Sequence, residues 1–155
     1  FTIGVAAVAP VSRGTVRLSA GHAAARPLID FGLMTDPDGV DRQVIVRGVH
    51  LARRLIAAAP LAKETGAEMA PGLSATSDSA VSAWIDSSVQ TVYHPAGTCR
   101  MGGDAGAVTS PDLRVHGVSG LWVADASVMP SPVRGHPNAA VAMIGARGAG
   151  MILAA

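Results

Sequence analysis

The sequence predicts a mixed fold, α/β in broad terms and α+β by a stricter label. Three observations lead there. Thr15 to Ala20 alternates polar and apolar residues, the period of a half-buried strand. Val40 to Ala59 places Ile45, Gly48, Val49, Ala52, Leu55, Ile56 and Ala59 at three- and four-residue spacing, the period of an amphipathic helix. A strand-like run, Gly120 to Met129, is followed by an apolar, alanine-rich stretch from Asn138 to Ala155, which reads as a buried helix.

In chain order, Phe1 to Pro10 is rich in Val and Ala and reads as a buried strand. Ser12-Arg13-Gly14 is a turn signal, Gly21 to Arg26 a loop, and Pro27 to Leu33 a further short strand. Thr35-Asp36-Pro37-Asp38-Gly39 is a turn whose Thr and Asp residues offer caps for the helix that follows. On that helix Arg47, His50 and Arg54 form a basic stripe, read as a solvated face. Pro60 to Ala75 is irregular, with Pro71-Gly72 as a breaker. Ser77 is the expected N-cap of a second helix, Asp78 to about Gln90. Its apolar side carries Val81, Trp84, Ile85, Val89 and Val92, and it delivers the chain to His94, where Pro95 excludes helical backbone. Pro111 to Val115 and Gly120 to Ala126 read as short strands around a His116-Gly117 bend.

A chain of 155 residues can bury one ordinary core. Twelve basic residues against eleven acidic ones leave a net charge of +1, which points to no nucleic-acid or anionic-membrane partner. No stretch reads as membrane-spanning, since the best candidate, Ala139 to Ala155, contains Arg147 and several glycines. A single cysteine, Cys99, makes no internal disulfide and no metal-binding pair. The compartment stays open, with a slight lean to the cytoplasm.

Two polar clusters stand out against this background. One is Tyr93-His94-Pro95-Ala96-Gly97-Thr98-Cys99-Arg100-Met101-Gly102, and the other is Gly135-His136-Pro137-Asn138. Each residue has an ordinary reading. His94 can hydrogen-bond at a helix end, Asn138 can be a polar residue of a first helical turn, Asp125 can form a turn, and His136 can cap the last helix. Cys99 is a conceivable thiol nucleophile with His94 as partner. Arg100 is expected to pin its loop through a carboxylate or carbonyl, and Met101 to pack.

HPAGTCRMG, then SPDLRVHGVSGLWVADASVMP, then GHPNAAVAMIGARGAGMI resemble the C-terminal signature of the glucose–methanol–choline family of flavin-dependent alcohol oxidoreductases. SRGTVRLS and RPLIDFGLMTDPDGVD resemble the segments before it. The likeness runs in order from about Ser12 to Leu153. It implies the C-terminal part of a two-domain FAD-binding oxidoreductase. Residues 1–93 would contribute an antiparallel substrate-domain sheet with helices. Residues 94–155 would carry the catalytic motif and return a strand and a helix to the FAD-binding domain. No Gly-x-Gly-x-x-Gly fingerprint follows a strand here, so the resemblance also implies an N-terminal FAD-binding portion as partner, with a small alcohol as substrate.

The resemblance assigns His94 as general base and hydride transfer to flavin N5. Asn138 would donate a hydrogen bond to the developing alkoxide, ahead of His136 as second partner. The expected FAD contacts are Asp125, Ala126, His136, Pro137, Asn138, Ala139 and Ala140, and no metal is expected. Helix N-terminal amides at Asn138, Ala139 and Ala140 suit the electron-rich edge of a reduced flavin. The competing functions are a non-redox lyase of hydroxynitrile type on the same scaffold, and a non-enzymatic docking piece.

Overall fold

The computed structural model describes residues 1–155. It contains strands β1 (Thr15–Arg17) and β2 (Leu28–Asp30), and helices α1 (Val40–Ala57), α2 (Leu61–Glu64), α3 (Asp78–Ser88) and α4 (Asn138–Leu153). A single 3-10 turn spans Ala126–Val128. The mixed class expected from the sequence is borne out, with one small antiparallel sheet, β1 beside β2. No helix is long and apolar enough to cross a membrane. The chain forms two compact units. One holds Phe1–Gly14 and Asp30–Gln90, the other Thr15–Ile29 and Thr91–Ala155.

In the first unit α1 and α3 enclose the core. Val81 and Ile85 from α3 are buried with Val46 and Val49 from α1 and with Ala75. The predicted apolar stripe of α1 is therefore turned: Val46 joins Val49 inside, while Leu55 lies exposed. The N-terminus of α1 follows Gly39 in left-handed backbone (φ 63°), and Asp36 caps it by accepting from the Val40 and Asp41 amides. Ser77 caps α3 as expected, its hydroxyl accepting from Ala80 N–H at 3.1 Å.

Several expectations are corrected. Phe1–Pro10 is not a strand. It has no strand to pair with, and only Val5 packs on the core, against Gly48, where a side chain would collide with it. The alternating run from Thr15 to Ala20 yields three paired residues, exposed on both faces rather than half-buried. Residues 60–75 contain the short helix α2. Helix α3 stops at Ser88, before Gln90. His50 belongs to the exposed side of α1 but is not merely solvated, since its Nε2 lies 2.8 Å from Asp78 Oδ1. Arg53 holds the irregular segment, donating to Glu68 (3.0 Å) and to the carbonyls of Gly72 and Ala75.

Of this unit's two buried acids, Asp36 and Asp41, Asp41 is the more deeply buried. Its carboxylate accepts from the amides of Val11 (2.9 Å) and Ser12 (2.8 Å). Burial raises its pKa, but the hydrogen bonds from Ser12 and Val11, with the nearby Arg13 guanidinium, outweigh that and hold it below the ordinary 3.8. A carboxyl lowered by folding stabilises the native state above its unfolded pKa, and that contribution disappears as pH falls through the folded value. Asp41→Asn is therefore expected to lower the melting temperature at neutral pH, with the gap to the parent narrowing as pH falls below the ordinary carboxylate range. A gap independent of pH would remove the carboxylate from this account.

In the second unit, Leu113, Val128, Met129 and Ile144 form the core, with Trp122, Val123, Ala140 and Val141 packed around them. The expected strands at Pro111–Val115 and Gly120–Ala126 do not form. Isolated bridges join Thr109 to Val115 and Arg114 to Trp122 instead, around a bend with left-handed backbone at Gly117 (φ 76°) and Gly120 (φ 74°). Gly148 is buried on α4, where a Cβ would sit 2.7 Å from Ala124 Cβ and 3.2 Å from Leu113 Cδ1. The helix thus lies directly on the segment leading to Asp125.

Candidate active site

The first polar cluster is held in the second unit by backbone pairing with the 3-10 turn. Cys99 N–H donates to Ser127 carbonyl at 2.9 Å and Met101 N–H to Val128 carbonyl at 2.8 Å. Gly97 sits at φ 90°, with Met129 carbonyl 3.2 Å from where a Cβ would stand. A side chain there would meet both backbone strain and a polar wall. Farther along, Arg100 makes a two-pronged contact with Asp104, at 2.8 and 2.5 Å. The guanidinium and the Gly106 amide hold the Asp104 carboxyl well below the usual carboxylate range. Arg100 pins its loop as the sequence led one to expect, and Met101 packs against the core.

His94 emerges half-buried between Tyr93 and Pro95. Its Nδ1 lies 3.1 Å from its neighbour's carbonyl, Tyr93 O. Its Nε2 lies 3.0 Å from Nδ1 of His136. The two rings meet edge to face, with centroids 5.2 Å apart and planes at 88°. Two stretches distant in sequence thus meet through a pair of imidazoles. One such nitrogen must donate and the other accept, so the contact joins a proton holder to a lone pair.

Asn138 opens α4 and is exposed, and its side chain makes no hydrogen bond. His136, ranked second from sequence, is the residue placed against His94. Pro137 precedes the helix with helical backbone (φ −80°). The first helical hydrogen bond runs from Val141 N–H to Pro137 carbonyl at 2.8 Å, so the amides of Asn138, Ala139 and Ala140 come before it and carry the positive end of the helix. Asp125 does not end a strand. It caps the 3-10 turn, Oδ1 accepting from Ser127 N–H at 2.7 Å, and Ala126 starts that turn. Cys99 is a free thiol with no hydrogen bond to His94. No group of three or more His, Cys, Asp or Glu side chains assembles that could hold a metal.

Sequence reasoning missed Thr91 and gave no role to Tyr93, although Tyr93 stands first in the polar cluster. Tyr93 has left-handed backbone (φ 64°), unusual for a bulky residue, and Thr91 accepts from Tyr93 N–H through Oγ1 at 3.0 Å. The one available signal was a hydroxyl residue two positions before a residue that had to turn sharply ahead of His94-Pro95.

Comparison with known proteins gives the family of the chain. Residues 10–145 match the family model described as GMC oxidoreductase. Choline oxidase of Arthrobacter globiformis is 46% identical over 146 residues, covering 93% of this chain and 27% of that protein. The alcohol dehydrogenase [acceptor] of Pseudomonas putida is 37% identical over 153 residues, 99% of this chain and 27% of that protein. Among solved structures, an FAD-dependent oxidoreductase from Chaetomium thermophilum superposes with a TM-score of 0.86 at 32% identity, over 93% of this chain and 25% of that one. The chain belongs to the GMC oxidoreductase family. It spans about a quarter of the length of the relatives it matches.

Proposed function

We propose that this chain forms the alcohol-handling part of an FAD-dependent oxidoreductase acting on CH–OH groups, with His94 as the general base. The observation that carries this reading is the 3.0 Å approach of His94 Nε2 to His136 Nδ1. An alcohol hydroxyl both donates and accepts. Taking the place of this direct contact, with the two rings moved apart to admit it, the hydroxyl would give its hydrogen to the accepting nitrogen and take one from the donating nitrogen. The same two groups then serve the reaction. One nitrogen removes the hydroxyl proton, and the other N–H supports the negative charge left on oxygen. Nδ1 of His94 faces Tyr93 carbonyl, so Nε2 is the atom left for base work.

FAD, when bound, supplies the acceptor for the hydride that leaves carbon. The residues present fit such a group. The amides of Asn138, Ala139 and Ala140 precede the first helical hydrogen bond of α4. They form a donor row, with two methyl side chains that permit close approach, suited to an edge that gains negative charge. Asn138 adds a side-chain amide, and Pro137 fixes the entry to the helix. Asp125 and Ala126 would act through the shape of their turn, the Asp125 carboxylate being committed to Ser127 N–H. The remainder of the flavin seat belongs to sequence outside this stretch, in keeping with the quarter-length match to the relatives.

The test is spectroscopic. The flavin absorption of the complete protein should bleach when alcohols are added without oxygen. A yellow protein that no alcohol in a broad panel bleaches, yet that cleaves a cyanohydrin, would overturn the oxidoreductase reading.

A further inference from the structure

The geometry points to Thr91 and the backbone of Tyr93 as a brace that holds His94 in the Nδ1–H tautomer, leaving Nε2 as its lone pair. This deepens the proposed function, resting on His94 as the base. A carbonyl oxygen can only accept. Tyr93 O, 3.1 Å from His94 Nδ1, therefore fixes the hydrogen on Nδ1. Nε2 then holds the free electron pair, and His136 Nδ1, 3.0 Å away, must be the donor. An unconstrained neutral imidazole exchanges freely between its tautomers, and one with the hydrogen on Nε2 cannot take a proton there. Fixing the tautomer decides how much of the protein is ready to react.

The carbonyl needs a reason to point at the ring of the next residue. Tyr93 makes this contact from left-handed backbone (φ 64°), which a large aromatic residue does not adopt unaided. Thr91 supplies the support. Its Oγ1 accepts from Tyr93 N–H at 3.0 Å, the only partner that amide has among the backbone and side chains of this chain. Helix α3 has ended at Ser88, and Pro95 offers no N–H that could compete. The order of action runs from Thr91 hydroxyl to Tyr93 amide, through the left-handed turn to Tyr93 carbonyl, and so to His94 Nδ1. Thr91 touches neither imidazole and is a positioning residue.

The experiment uses the complete, flavin-loaded protein with 15N-labelled histidine. Long-range proton–nitrogen correlation spectra distinguish the two tautomers, and the His94 signal is assigned by its absence from His94→Ala. His94 is expected to carry its hydrogen on Nδ1. Thr91→Val should move part of the population to the Nε2–H form. It should also slow flavin reduction at saturating alcohol about three- to tenfold, the factor that one hydrogen bond commands, without changing the half-saturating concentration. Thr91→Ser should restore both. Finding His94 protonated on Nε2 in the parent, or a Thr91→Val protein with unchanged tautomer and rate, would overturn the brace. If the tautomer is as assigned while His94→Ala still bleaches with alcohol at the parent rate, the base assignment fails and the backbone geometry stands.

Discussion

Replacing His94 with alanine in the complete protein is expected to slow reduction of the flavin by alcohol by about a hundredfold or more, with the flavin still bound. The size of the effect follows from what the ring does. An alcohol proton is far too weakly acidic to leave unaided at neutral pH, and an imidazole is the side chain whose unperturbed pKa lies nearest that range. Water can occupy the vacated volume, but it brings neither the basicity nor the fixed direction given by Tyr93 carbonyl on one side and His136 on the other. The flavin should remain because its contacts are assigned elsewhere, to the first turn of α4 and to sequence beyond this stretch. Rapid-mixing absorbance without oxygen measures the rate, and the visible spectrum before mixing measures retention. A variant that keeps its yellow colour and bleaches at the parent rate would remove His94 from the chemistry.

The second large effect is on stability. Ile85→Ala should cost about 2–5 kcal/mol, and Ile85→Val about 1 kcal/mol. Ile85 is 1% exposed and sits with Val81, which is fully buried, and with Val46, Val49 and Ala75. Truncation would leave a hole that two helices and a loop cannot close without losing contacts elsewhere. The expected signature is a lower denaturant midpoint at unchanged slope. Midpoints identical to the parent for both variants would mean that the packing of α1 on α3 does not hold this unit together.

The three longer helices were legible because each carries its own period and its own stop signals, which the four-residue α2 lacks. Val40 to Ala57 and Asn138 to Leu153 lie within two residues of the sequence expectation at each end, and Ser77 announced α3. The strands were legible only in part: of five expected runs, two hold the paired strands Thr15–Arg17 and Leu28–Asp30, and three stay irregular. Alternation from Thr15 to Ala20 identifies an extended chain but not a partner, and the chain supplies only Leu28–Asp30. A strand exists through its neighbour, so apolar runs such as Phe1–Pro10 remain irregular when no edge is offered to them. The same limit governed the stripe on α1. Spacing fixed a face to within about one residue, and packing against α3 selected Val46 over Leu55.

In the site, the motif drew attention to both clusters, and their meeting is a matter of tertiary structure. Counting along the chain could not say which of His136 and Asn138 would reach His94. The outcome depends on where α4 begins. With Pro137 as the last residue before the helix, His136 lies outside it and against His94, while Asn138 opens the first turn. Thr91 stayed unnoticed for a different reason: a hydroxyl that serves one backbone amide has no periodicity to betray it.

The contact of Gly148 with Ala124 and Leu113 reaches beyond packing. A side chain at that position forces Ala124 or the sixteen-residue rod itself to shift, and the far end of that rod carries the first-turn amides proposed above to face the flavin. Proximity to the reacting atoms is thus a poor guide to harm. A clinician or breeder ranking variants by nearness to His94 would pass over a bare hydrogen several turns away whose replacement shifts the rod or what it rests on.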